Sequence, residues 1–274
     1  MRPIVLGIPW LKANPLHMEH LTEFYALNKE KYNLRRKQVY YRALHQAQQV
    51  IRNTARKMDA SHILFTEDDQ WGYPIDGLEV LLEADKDVIG FKSYFKKYPY
   101  LSMAFRRKDN KGTMIERGTT HFDQLEGVRP GADPVQEVDL LSWAFTLVKM
   151  EVFDRMAEAD MEPFRQWGPV PTDSFFCHYC ELLGIKRYVH FGFTIGHGDI
   201  EPNKIPLHRM QYESMHPEQD FTKTMRVLLE DDFGNVYGAA GYVPEAARVL
   251  KNIAEERRHA EEGAELRERE AVLA

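Results

Sequence analysis

His62-Ile63-Leu64-Phe65-Thr66-Glu67-Asp68-Asp69-Gln70-Trp71-Gly72 passes from a short apolar run straight into three consecutive acids. Four largely apolar residues bounded by polar ones read as a buried strand. A strand that stays hydrophobic to its end and then turns out carboxylates sets negative charge at the carboxyl edge of a sheet, where open α/β sheets bind their ligands. Adjacent carboxylates repel one another in water, so crowding them suits a cation, and hard oxygen ligands favour magnesium, manganese or calcium.

Outward from this stretch the chain alternates. Residues 3–8, Pro3-Ile4-Val5-Leu6-Gly7-Ile8, form a continuous apolar strand, and residues 9–15 read as a loop. Across 36–58, Val39, Ala43, Ala47, Val50 or Ile51, Ala55 and Met58 recur near the helical period, predicting one long amphipathic helix into the 62–66 strand. Beyond the acids, Tyr73-Pro74 opens a helix expected to face Ile75, Leu78, Leu81 and Leu82 inward, followed by a strand at 87–91. This order predicts an α/β fold: a mixed, mainly parallel sheet flanked by helices. Segments 101–106 and 113–116 flank Asp109-Asn110-Lys111-Gly112, a hairpin composition. A strand over 138–149, helices over 151–159 and 174–183 and a strand over 187–194 complete a catalytic domain placed at 1–243. The remaining 244–274 read as a charged helical extension, with Ala246, Val249, Leu250 and Ile253 on one stripe; a solvated helix is favoured over a partner-binding one.

A net charge of −6 gives no global electrostatic reason to bind nucleic acid or an anionic membrane. The apolar start is too short for a signal peptide, and nothing approaches the roughly 18 apolar residues of a membrane span, so a soluble, cytoplasmic protein is expected. The two cysteines, Cys177 and Cys180, lack the further ligands of a structural zinc; Phe176, Cys180 and Leu183 fall on one helix face, which predicts burial.

Three collinear features within residues 3–198 resemble the GT-A nucleotide-diphospho-sugar glycosyltransferases, in particular the family 2-like enzymes of bacteria and phages. Ile51-Arg52-Asn53 followed by Asp59-Ala60-Ser61-His62-Ile63-Leu64-Phe65 is similar to the family's lead-in to its DxD motif. Glu67-Asp68-Asp69 sits at that motif, with Glu67 in place of its first Asp. Thr172-Asp173 is similar to the acidic pair that opens a helix, with Thr172 in place of the first acid, and Gly196-His197 resembles the late Gly-His that returns a metal ligand.

The resemblance implies a metal-dependent glycosyltransferase, a hexosyl- or pentosyltransferase taking a nucleotide-diphosphate sugar, a UDP-sugar foremost. Asp69 and His197 would hold Mn2+ or Mg2+, the imidazole tilting the choice to manganese. Glu67 and Asp68 would touch the donor, and Ile8, Pro9 and Trp10 lie where the family packs the nucleobase. Arg52 would reach a phosphate or base edge, and Trp143 would line the sugar pocket. For each there is a plainer reading: a turn histidine, a solvated helix arginine, core tryptophans. Asp173 is the candidate general base, implying inversion at the anomeric carbon, and alternatively a helix N-cap. Cations interleave with aromatics over 29–42 and 91–108, a mixture that suits a phosphate-rich or base-stacking surface or, more simply, snorkelling side chains; with the resemblance to phage glycosyltransferases it implies a modified base in DNA as acceptor, in a host cytoplasm if the chain is phage-encoded. A nucleotidyltransferase and a non-catalytic metal- or sugar-binding module are the alternatives; the former commonly carries an early Gly-rich phosphate loop that Gly7-Ile8-Pro9 does not supply.

Overall fold

A computed structural model describes residues 1–11, 14–96, 100–107, 122–125, 127, 128, 131–165, 171–199, 204 and 215. The chain runs β1 (Ile4–Trp10), α1 (Pro15–Asn28), β2 (Leu34–Tyr40), α2 (Leu44–Lys57), β3 (His62–Phe65), β4 (Gln70–Trp71), α3 (Gly77–Glu83) and β5 (Val88–Lys92). It continues through β6 (Ala104–Arg107), β7 (Phe122–Gln124), β8 (Val135–Val138), β9 (Leu140–Leu141), β10 (Thr146–Lys149), α4 (Met150–Glu158), α5 (Thr172–Leu182), β11 (Arg187–Thr194) and β12 (Gly196–His197).

The central sheet has seven strands in the order β2-β1-β3-β10-β5-β11-β8. Five run in one direction; β10, between β3 and β5, and β8, at the edge beside β11, oppose them. This is the mixed, mainly parallel α/β sheet expected. β1 is apolar throughout because both its faces are covered. Val5 joins the core formed with Ala47, Ile51 and Ala55 of α2 and with α4 and α5, whereas Ile4, Leu6 and Ile8 pack with Leu21 and Phe24 of α1 and Leu78 and Leu81 of α3. Gly7 lets α2 approach closely: a Cβ there would lie 2.5 Å from Ile51 Cγ2.

The single helix expected over 36–58 is two elements. Residues 34–40 form the edge strand β2, parallel to β1 from Ile4↔Leu34 to Trp10↔Tyr40, and the helix begins at Leu44. Ala43, counted in the helical stripe, has ψ 144 and lies outside the helix. Only Leu34 and Val39 of β2 are buried, and its exposed arginines suit an edge that must resist pairing with other chains. The loop expected over 9–15 is shorter than that, because α1 starts at Pro15. Asn14 caps it, its Oδ1 accepting the Leu16 N–H at 3.0 Å, and Pro15 occupies the first turn, where no N–H is needed.

α3 begins at Gly77 rather than at Tyr73-Pro74, leaving Ile75 53% exposed while Leu78 and Leu81 are buried. The strand expected over 138–149 breaks after β9: Phe145 adopts φ +50, β9 pairs with β6 in a small three-stranded sheet, and β10 enters the main sheet. β6 fits the first arm of the expected hairpin; residues 113–116 and the extension 244–274 lie outside the described residues. α5 buries Phe175, Phe176, Cys177 and Cys180, and burial pushes the Cys177 thiol up to about 12, the chemistry of packing rather than of a nucleophile. Among the described residues no helix is long and apolar enough to cross a membrane.

Candidate metal and donor site

β3 ends with Phe65 packed against Trp143, ring centroids 4.8 Å apart, and the next residues turn sharply. The turn is shaped by Gln70, which is buried. Its Oε1 accepts the Glu67 N–H at 3.1 Å and the Thr66 hydroxyl at 3.0 Å, and its Nε2 donates to Glu67 Oε2 at 3.4 Å. The Gln70 carbonyl lies 2.7 Å from both His17 Nδ1 and the Tyr73 hydroxyl, so α1 and the chain before α3 brace the acid loop from beneath.

β4 then pairs antiparallel with β12, setting Gly196 opposite Trp71 and His197 opposite Gln70. The Gly198 N–H donates to the Asp69 carbonyl at 2.8 Å, and Trp71 Nε1 donates to the Gly198 carbonyl at 2.8 Å. Residue 196 must be glycine, because a Cβ would sit 2.4 Å from the Trp71 ring.

This miniature ladder delivers His197 to the acids. Its Nδ1 donates to the Tyr94 carbonyl at 2.8 Å, which leaves the Nε2 lone pair facing Asp69 Oδ1 across 3.6 Å. Burial holds His197 below its ordinary value against the opposing pull of Asp69, favouring the neutral imidazole that a metal ligand must be. Glu67, Asp69 and His197 bring their ligand atoms within 4.8 Å of one another. Two electron-pair donors held face to face, with the histidine tautomer fixed by a backbone carbonyl, fit a divalent cation. The Lys96 ammonium forms an ion pair with the other oxygen of Asp69.

The three acids have separate surroundings. Asp68 Oδ2 accepts the Leu11 N–H at 2.6 Å, tying the loop to the end of β1. Glu67 is pushed up to about 8, chiefly by burial and then by Asp69 and Asp173. Beside the loop is a cavity of about 200 Å³ lined by Pro9, Trp10, Leu11, Arg42, Leu44 and the three acids. Trp10 contacts Tyr40 at 5.9 Å between ring centroids, and Tyr41 stands beside it 84% exposed with φ +51, a conformation a bulky residue seldom holds without reason.

Asp173 lies in the first turn of α5. The capping position is Pro171, so Asp173 is not the N-cap; its Oδ1 accepts the Ser174 N–H at 2.7 Å. Burial pushes its carboxyl up to about 6, and its charge reaches Glu67. Thr172, where the resembled family carries an acid, instead accepts from Trp143 Nε1 at 3.1 Å.

Pro9, Trp10, Glu67, Asp68, Asp69 and His197 are thus brought together, with Asp173 in electrostatic reach. Ile8 is fully buried beneath them. Arg52 is also buried, bonded to Asn53 Oδ1 and 3.7 Å from Glu162, and does not line the cavity. Trp143 is 3% exposed among Phe65, Phe164 and Phe176. Within 29–42 and 91–108, Lys31 lies over Tyr32, Arg36 over Tyr25 and Lys92 over Tyr94, so part of the cation–aromatic mixture is satisfied inside the fold. Sequence reasoning did not single out His17, Gln70, Arg42 or Lys96; His17 meets Gln70 and Lys96 meets Asp69 only through the fold, and neither pairing has a local mark.

No family model matches the chain, and no curated protein does. Among solved structures, it is similar to A197 from STIV, at 14% identity and a TM-score of 0.45, over 73% of this chain and 87% of that one. It is also similar to TarS of S. aureus, at 12% identity and a TM-score of 0.37, over 86% of this chain and 43% of that one.

Proposed function

We propose that this chain is a metal-dependent glycosyltransferase that moves a sugar from a nucleotide-diphosphate donor to an acceptor hydroxyl with inversion. The observation that carries the reading is the facing pair Asp69 Oδ1 and His197 Nε2, beside a cavity at the carboxyl edge of the sheet. A divalent cation held by Asp69 and His197, with Glu67 in reach, would supply positive charge to the departing diphosphate. Pro9, Trp10 and Leu11 form an apolar wall for a nucleobase, and Arg42 offers a cation for the diphosphate.

Asp173 takes the acceptor proton. With a carboxyl near 6 it is mostly ionised at pH 7.5 yet basic enough to share the proton as the oxygen attacks. The new bond joins that oxygen to the anomeric carbon, the bond from carbon to phosphate oxygen breaks, and the diphosphate leaves with the electron pair. Assay of UDP-, GDP- and dTDP-sugars with Mn2+ tests the reading. Release of nucleoside diphosphate supports it, release of pyrophosphate from a nucleoside triphosphate and sugar phosphate points to nucleotidyl transfer, and no turnover with metal binding points to a binding module.

For the acceptor, β2 supports a hydroxyl-bearing base in DNA: exposed Arg35 on this edge strand is followed by exposed Tyr40 and Tyr41, which stand next to Trp10 and Arg42 of the cavity lining. Salt-sensitive retardation of duplex DNA is the expected result, and absence of binding at low salt overturns that acceptor.

A further inference from the structure

Lys96 lies just beyond β5, in a segment held in place from both sides. The Phe95 N–H donates to the Leu101 carbonyl at 2.9 Å, and the Ile195 N–H donates to the Lys92 carbonyl at 2.8 Å, so the residues around Lys96 are tied to the strand that leads into β12. The lysine stem runs over Gly198, where a Cβ would meet its Cδ at 3.3 Å. Its ammonium pairs with Asp69 Oδ2, while Asp69 Oδ1 faces His197. One carboxylate therefore presents one oxygen to an internal cation and the other to the imidazole lone pair.

A divalent ion drawn to Asp69 and His197 meets that ammonium a few ångströms away, and in a partly desolvated site two positive charges so close oppose each other strongly. A diphosphate removes the conflict, since its oxygens can take the ammonium as the ion takes Asp69. We propose that Lys96 is a resident counter-cation that weakens the site for a bare divalent ion and transfers to the donor's diphosphate when ion and nucleotide arrive together, so that the two ligands load cooperatively. This rests on the metal-site reading above. Because binding free energies are reciprocal, the same coupling must appear in the affinity of either ligand.

The test is calorimetric titration at pH 7.5 of wild type, Lys96→Met, Lys96→Arg and Asp69→Asn with Mn2+ alone, and with UDP at saturating Mn2+. Lys96→Met keeps the length and apolar stem, and the residue is 47% exposed, so the fold does not depend on the charge. Lys96→Met is expected to bind bare Mn2+ about 2- to 5-fold tighter and, at saturating Mn2+, to bind UDP about 2- to 5-fold more weakly, the range expected for one partly exposed charge. Lys96→Arg, which keeps the charge, is expected to bind bare Mn2+ as weakly as wild type. Bare Mn2+ binding that is unchanged or weaker in Lys96→Met, while Asp69→Asn abolishes it, overturns the role of Lys96 and leaves the metal site standing. If neither wild type nor Lys96→Met binds Mn2+ with or without UDP, the metal site itself is refuted and the role of Lys96 falls with it.

Discussion

Replacing Asp173 by Asn should make the protein more stable at neutral pH while removing transfer activity. The native carboxyl is pushed from 3.8 to about 6 by burial, whereas the unfolded chain keeps an ordinary aspartate. Between about pH 4 and pH 6 the folded state therefore binds more protons than the unfolded state, and stability falls as pH rises through this window. Above it the full difference applies, about two pH units or about 3 kcal/mol at most. Because Asp173 is only partly buried, about 1–3 kcal/mol is the range expected. Asn keeps an oxygen able to accept the Ser174 N–H and carries no charge to bury. Urea unfolding of wild type and Asp173→Asn at pH 7.5, 5 and 3.5 measures the effect: the variant should be more stable at 7.5, less so at 5, and equal to wild type near 3.5. Transfer by wild type should rise with pH through about 6, and the variant should bind donor yet transfer nothing. A variant no more stable than wild type at pH 7.5, or a difference independent of pH, would refute the account of a base whose charge is disfavoured by its surroundings.

Asp69→Asn and His197→Ala should each weaken Mn2+ binding at least about 10-fold by titration calorimetry, as expected when a ligand or its orientation is lost. Gly196→Ala drives a methyl into the Trp71 ring and should cost about 1–3 kcal/mol in urea unfolding together with lowered Mn2+ affinity, the second effect showing that β12 and the cation site are one unit. Gln70→Leu strips the Glu67 N–H and the Thr66 hydroxyl of their buried acceptor and should destabilise by about 1–3 kcal/mol; unchanged stability would show that the acid loop holds its own shape.

What the sequence made legible follows from burial on two faces. β1, β3 and β5 are continuous apolar runs, and α4 and α5 carry recognisable stripes, so their existence and the α/β class could be read directly. α1 was hidden because its inward positions are His17, Leu21, Phe24 and Asn28: the spacing is helical, but two of the four are polar, His17 meeting Gln70 and Tyr73 and Asn28 meeting Ile75 as well as Phe24 of its own helix. Asn14-Pro15 was the local signal for its start. β2 was hidden because an edge strand needs few apolar residues, and one of its two buried ones, Val39, falls into step with the helix that follows. The direction of β10 is a property of the whole sheet and leaves no mark in Thr146-Leu147-Val148-Lys149. In the site, the charged positions at strand ends were readable, whereas Arg52 and Trp143, suggested by their place near motifs, lie in the core. Lys96 is 27 residues from Asp69, and the pairing rests on the return of β12.

The β4–β12 ladder also orders events in time. A chain made from its N-terminus holds Glu67, Asp68 and Asp69 long before Gly196 and His197 exist, and closing so long a loop waits on the sheet between them. Until that closure the acids have no imidazole opposite. Cation capture would therefore come at the end of folding, and because a ligand that binds only the native state stabilises it by mass action, Mn2+ should slow proteolysis of the finished protein while leaving chains that stop short of residue 196 unprotected.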